Sequence, residues 1–283
     1  MGKLAAPIFI LAFGFANARA AAEQPTLSSL EMAGGYGSAD TWTAAFSADL
    51  GLRTGYRLGL GVSGTWAKTE DGPLSLNSNR VSFGTDPLKM FSGLVEYERW
   101  GQSSVIQTDT ARAELAFGND VLTVAVAPEV RSIGWFSRFG GTDQKRFYST
   151  SQGWTARVAV SPLKSTSVSA GYGVFTYRDV PSDFSDLEVV GFISSSSLNL
   201  GSGFLDNQFS ADVHQDISRK LGVGAGYFTA KTFIDKIVFS VLTVSADWNF
   251  SDEWSCLVRG GSSSSEGEPP SNQAEFSLRH LWF

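Results

Sequence analysis

The feature that most constrains this chain is a period-two alternation of apolar and polar residues. It recurs from about residue 30 to the last residue. In residues 57–67, Leu58, Leu60, Val62 and Trp66 share one parity, and Gly59, Gly61, Ser63, Thr65 and Ala67 share the other. Trp154, Ala156, Val158 and Val160 oppose Thr155, Arg157, Ala159 and Ser161. Phe209, Ala211 and Val213 oppose Gln208, Ser210, Asp212 and His214. Leu242, Val244, Ala246 and Trp248 oppose Thr243, Ser245, Asp247 and Asn249. Spacing by two sends neighbouring side chains to opposite faces of a β-strand. The alternating segments run about 10–13 residues, against ~5–6 for a soluble strand and ~9–11 for a tilted strand that crosses a bilayer.

Composition supports strands. Gly 30, Phe 21 and Trp 8 are high, and glycine with aromatics suits close β-packing. After residue 20 the longest apolar stretch is "IVFSVLTVSADWNF", which Ser, Thr and Asp interrupt, so no helix there would span a bilayer. A soluble β-sandwich also alternates. Here, however, the polar parity is rich in Gly, Ala, Ser and Thr with charges of both signs, which suits a confined watery lumen. The fold class is therefore all-β: a transmembrane antiparallel up-and-down β-barrel. Strands are predicted at 30–36, 41–52, 56–68, 78–84, 90–100, 107–117, 121–133, 152–161, 166–178, 206–217, 221–231, 237–250, 254–263 and 273–283. That is about 14 strands. The weak segment 78–84 and a β-like piece at 187–193 leave 12 or 16 as alternatives. Short turns are expected at 53–55, 85–89, 118–120, 161–165, 218–220 and 251–253. Longer loops are expected near 37–40, 69–77, 101–106, 135–151, 179–205, 232–236 and 264–272. An even count with short turns at one end places both chain ends on that side.

The first twenty residues form a separate object. Lys3 precedes the apolar run "LAAPIFILAFGFA", and Ala18 and Ala20 supply small residues. This is the pattern of a cleaved signal peptide. The domain reading is 1–20 signal peptide, 21–29 a short periplasmic N-terminal segment, and 30–283 the barrel. Net charge is −6; without Lys3 and Arg19, 20 basic side chains face 28 acidic ones. No basic patch argues for nucleic acid. The single cysteine, Cys256, excludes a disulfide within the chain.

The chain ends in "FSLRHLWF". With the leader and the alternation, this ending resembles Gram-negative outer-membrane β-barrel proteins. Those chains commonly finish on a strand with a terminal aromatic residue that the barrel-insertion machinery recognises. Phe283 matches that position and Leu281 the apolar residue two before it; Arg279 departs from the pattern. Strict alternation from Phe276 and Leu278 puts His280 and Trp282 on the lipid face. Either a bulge near Arg279 and His280 switches the register, or Trp282 is an interfacial anchor. The resemblance implies the cell outer membrane as location, with lipid and lipopolysaccharide as surroundings.

Trp66, Tyr97, Trp100, Trp135, Tyr177 and Tyr227 fall toward one set of strand ends, and Trp248, Trp254 and Trp282 toward the other. Such rings form interfacial girdles. On the polar parity lie Asp49, Glu96, Glu98, Arg112, Glu114, Glu129, Arg131, Arg157, Asp212, His214, Asp247 and Arg259. These either brace strands as an ion-pair ladder or set the selectivity of a pore. Small residues on that parity (Gly59, Gly61, Ala125, Ala159, Gly171, Gly222, Gly224) are expected to leave room for water. Residues 135–148 read as a cationic, aromatic loop that either meets lipopolysaccharide phosphates or narrows the pore. Residues 179–205 carry an unspecific set of acids before a Ser run.

Nothing in the sequence calls for a cofactor or a metal: there is no HExxH, no Cys/His cluster and no P-loop. Ser210, Asp212 and His214 share a strand face, but that face points at the lumen, away from lipid. The reading is therefore non-enzymatic: a porin-like passive channel for small hydrophilic solutes. The alternative is a non-conducting structural, adhesive or polymer-export barrel; a lipid hydrolase is remote. Oligomeric state is not legible.

Overall fold

The structure is a computed structural model that describes residues 28–37, 41–52, 55–69, 72–85, 90–102, 106–138, 144–179, 204–233, 236–266 and 268–282. The leader, the 187–193 piece and Phe283 lie outside the described residues.

Fourteen strands form one closed antiparallel barrel: β1 (Ser28–Gly37), β2 (Thr41–Leu52), β3 (Tyr56–Thr69), β4 (Gly72–Thr85), β5 (Phe91–Gln102), β6 (Ile106–Gly118), β7 (Leu122–Arg138), β8 (Gln144–Leu163), β9 (Thr166–Arg178), β10 (Leu205–Asp216), β11 (Leu221–Thr232), β12 (Val238–Asn249), β13 (Trp254–Ser265) and β14 (Glu268–Trp282). Each strand pairs with its neighbours in sequence, and β1 closes on β14. Closure removes sheet edges, so backbone N–H and C=O groups along the wall pair between strands without water. The outward parity is apolar along most of its length: Val95, Leu115, Leu242 and Val244 are more than half exposed. In water such a surface would aggregate; in lipid it is the solvated face.

Both described chain ends lie at one end of the barrel, here the terminal end. Its turns are built by local side chains. Gly55 takes φ 77°, which only glycine adopts readily, and its N–H donates to the Leu52 carbonyl at 3.1 Å. Asn119 Oδ1 accepts from the Val121 and Leu122 amides, both at 2.9 Å. Ser218 Oγ accepts from Lys220 and Leu221, and Ser251 Oγ from Glu253 and Trp254. These short polar side chains stand in for a missing strand partner and fix the reversal.

The distal end differs from expectation. The predicted loops at 69–77 and 135–151 are largely strand. β3 and β4 run on to Thr69 and from Gly72, and β7 and β8 reach 17 and 20 residues. The β7–β8 hairpin stays paired up to Arg138↔Gln144. Hence the described part of 135–148 is strand backbone on both sides of residues 139–143 rather than loop. Ser, Gly and charged residues hid a hairpin whose register runs up to that pair. β9 ends at Arg178 and β10 begins at Leu205.

The chain end is also settled. The β1–β14 register runs unbroken from Ser28↔Trp282 to Gly37↔Gln273, and β13–β14 unbroken from Trp254↔His280 to Ser263↔Ser271. No bulge switches the register near Arg279. His280 and Trp282 stay on the outward parity, where the His280 ring lies 4.4 Å from Trp254 and 5.8 Å from Trp282.

Candidate functional site

The candidate site is the inner wall, which divides into two zones along the axis. The terminal zone is charged. Around β4–β8, Arg80 Nε lies 3.9 Å from Glu96, Arg112 pairs with Glu114 at 2.7 Å, and Arg157 pairs with the same Glu114 at 2.9 Å. Ser78 donates to Glu98 at 2.5 Å. Around β13, β14 and β1, Arg259 meets Glu275 at 3.4 Å, and Arg279 meets Glu31 at 2.7 Å. His214 lies between Asp216 (3.1 Å) and Asp247 (3.7 Å). These groups are partly solvated; the Arg80 side chain is 42% exposed and Asp216 and Arg279 47%. No group of three or more His, Cys, Asp or Glu that could hold a metal occurs among the described residues.

Two of these contacts cross an intervening strand. Arg157 on β8 and Glu114 on β6 meet over β7, whose inward residues at that level are Ala125 and Ala127. His214 on β10 reaches Asp247 on β12 over β11, where Gly222 and Gly224 face inward. A Cβ on Gly222 would stand 2.5 Å from Asp247 Oδ1 and 2.6 Å from His214 Cε1. A Cβ on Gly224 would meet Ser245 Oγ at 2.7 Å, and one on Gly59 would meet Asp49 Oδ1 at 2.8 Å. The small residues expected to leave room for water instead make room for polar side chains of neighbouring strands.

The distal zone is dry. Phe175, Leu205, Ala230, Phe239 and Val241 form a buried cluster, with Tyr177 and Phe228 packed on it. Tyr177 donates its hydroxyl to the Leu205 carbonyl at 2.9 Å, and its ring lies 5.3 Å from Phe204 and 4.7 Å from Phe233. Across the lumen wall, Ile133 and Thr108 are 0% exposed and Ile106 1%. Arg131, 4% exposed, pairs with Glu129 and holds its guanidinium carbon 4.5 Å above the Phe175 ring. The carboxylate and the ring offset the cost of burying the guanidinium.

The structure thus brings Glu96, Arg112, Glu114 and Arg157 into one wall network with Arg80, and His214 with Asp247 and Asp216 into another. Arg131 belongs to the dry zone instead, while Glu129 stands opposite Arg112 in the β6–β7 register and joins the two zones. Asp212 hydrogen-bonds Ser169 and interacts with Arg259 and Arg157, with Gly226 facing its carboxylate. Missed in the sequence were Glu31, Arg80, Asp216, Glu275 and Arg279, each of which holds inward parity on its strand. Trp66, Tyr97, Tyr227, Trp248 and Trp254 are exposed on the outward face, and Trp282 shares that parity. Trp100 and Tyr177 do not belong to that belt: both point inward, Trp100 buried and Tyr177 bonded to Leu205. The side chain of Trp135 lies outside the described residues.

On the outward face near the distal end, Asp109 gathers Tyr97 (2.5 Å), Arg99 (2.7 Å) and Gln107 (3.1 Å). This polar cluster marks where the apolar belt stops.

No protein-family model matches the sequence, and no curated protein does. Solved structures do share the architecture. OmpT of Vibrio cholerae, an outer membrane protein, superposes with a TM-score of 0.51 at 9% identity when expressed in the outer membrane, covering 90% of this chain and 97% of OmpT. The in-vitro folded OmpT gives 0.50 at 9% identity, over 90% and 96%. The NanC porin is a more distant likeness, at 0.48 and 8% identity over 89% and 98%. At such identities the likeness is one of fold: among the described residues this chain is a closed fourteen-stranded β-barrel that resembles the outer membrane protein OmpT.

Proposed function

We propose that the protein is a passive, non-enzymatic outer-membrane channel for small hydrophilic solutes, with the terminal end toward the periplasm. One observation carries this reading: the terminal zone of a closed barrel with an apolar outward face is lined by partly solvated charges of both signs. Charged side chains facing lipid would be costly, whereas facing water they steer ions. The inward carboxylates named above outnumber the arginines, so small cations are the favoured ions. Leader, short periplasmic segment and barrel (1–20, 21–29 and 30–283) remain the proposed organisation. Leu281 and Phe283 are the proposed insertion signal, read by the barrel-insertion machinery, and the outward aromatics the proposed girdles against lipid and lipopolysaccharide.

A hydrolase reading gains no support from His214. Its contacts are Asp216 and Asp247, while Ser210 Oγ sits beside Gly171 on another part of the wall. The burial of the distal zone supports the second reading, a barrel that does not conduct. Planar-bilayer recording of the purified mature chain under a salt gradient separates the two. Unitary steps with a cation-side reversal potential are expected. A folded barrel that stays silent would remove the simple channel.

A further inference from the structure

The inner wall of a barrel this wide would ordinarily meet water along its whole length. Here the distal third behaves as a protein core instead. Phe175 is 3% exposed and Val241 1%. The packing is reciprocal: Phe175 lies over Gly153 of β8, where a Cβ would collide with the ring and stand 2.7 Å from the Val174 carbonyl. Phe228 and Phe239 stack at 6.0 Å on β11 and β12. The wall has been cleared at Gly153 and filled from β9, β11 and β12. Arg131 and Glu129 then brace the cluster from β7 through the Phe175 ring.

We propose that this cluster, centred on Phe175, Phe228 and Phe239, is the constriction of the channel and sets which solutes cross. The inference rests on the channel reading. An apolar constriction expels water and raises the barrier most for strongly hydrated ions. Uncharged or weakly hydrated solutes lose least on entering it. The charged zone below collects and orients cations, but passage is decided at the dry zone. Steering and filtering are thus assigned to different levels of the same wall: charges to the terminal zone, aromatics to the distal one.

Two measurements test this. The first compares unitary conductance of the wild type with the Phe175→Ala/Phe239→Ala double variant, with folding verified by the heat-dependent shift in electrophoretic mobility. Conductance is expected to rise several-fold. If the wild type conducts and the folded variant matches it, the constriction is refuted while the channel stands. If the wild type is silent and the variant conducts, the simple channel falls and the constriction holds. If both are silent though folded, the block lies elsewhere and the inference fails.

The second needs neither conduction nor a large cavity. In a Cys256→Ser background, Ala230→Cys lies in the cluster and Ser245→Cys on the charged wall beneath it. Methanethiosulfonate ethylammonium should label Ala230→Cys about tenfold more slowly than Ser245→Cys, because a dewetted zone excludes the hydrated reagent. Equal rates would overturn the proposal.

Discussion

The two zones of the lumen stand on the same strands, a few residues apart, yet they obey opposite rules. On β12, Asp247 faces water and His214, while Val241, six residues along on the same inward parity, is 1% exposed and packed on Phe239 and Leu205. On β7 the alanines at 125 and 127 are crossed by a charged bridge, and Ile133 beyond them is fully buried. The contrast teaches that parity in a barrel strand decides only which side a residue faces. What fills the inside is decided by whether neighbouring strands offer carboxylates and amines or aromatic rings.

The largest test of the contrast is energetic. Phe175→Ala would open a cavity in the dry zone and should cost about 3–5 kcal/mol. Val244→Ala on the lipid face removes atoms that lipid can replace, and should cost far less. Urea titration of the barrel in lipid vesicles, read by tryptophan fluorescence, gives both numbers; equal costs would mean the distal zone is not a packed core. Next is Glu114→Gln. It removes the carboxylate shared by Arg112 and Arg157, weakening a buried-side network by about 1–3 kcal/mol. The reversal potential should move toward anions; an unchanged value would show that this wall does not see the permeating ion. The smallest effect is steric. Gly222→Ala sets a methyl against the ends of the Asp247 and His214 side chains and should cost about 1 kcal/mol, at the low end for overpacking. Gly260→Ala, whose new Cβ meets only the Gln273 carbonyl at 4.0 Å, should fall within about 0.5 kcal/mol of wild type. Comparable losses at both glycines would show that the bridge over β11 does not depend on the space.

Much of the fold was legible because lipid reads only one parity. β2 and β9 run over 41–52 and 166–178 as the alternation predicts. The segment 78–84 was the weak one because Asn and Arg dilute it, and the strand extends instead to Gly72–Thr85 through register with β3. The inside was less legible. Arg279 looked like a defect in the ending because its partner, Glu31, is at the other end of the sequence. The aromatic cluster was hidden for the opposite reason. Phe239 and Val241 turn the start of β12 into an apolar run broken only by Ser240, which blurs alternation rather than shaping it. Loss of the period inside a long strand is the signal that could have pointed to a filled lumen.

The Glu31–Arg279 contact also bears on how the barrel forms. The two residues are separated by 248 positions, and they join the first strand to the last. Every other strand pair is made between sequence neighbours, so each can zip from a turn at small loop-closure cost. The seam cannot: its ends must diffuse together after the rest is arranged, and such remote pairing is slow. The Nε–H and Nη2–H groups of Arg279 both donate to Glu31 Oε2, at 3.2 and 2.7 Å, so one long side chain ties the seam with charge-assisted bonds. The residue that spoils the alternation at the chain end is thereby placed to act as a latch for the slowest contact in assembly.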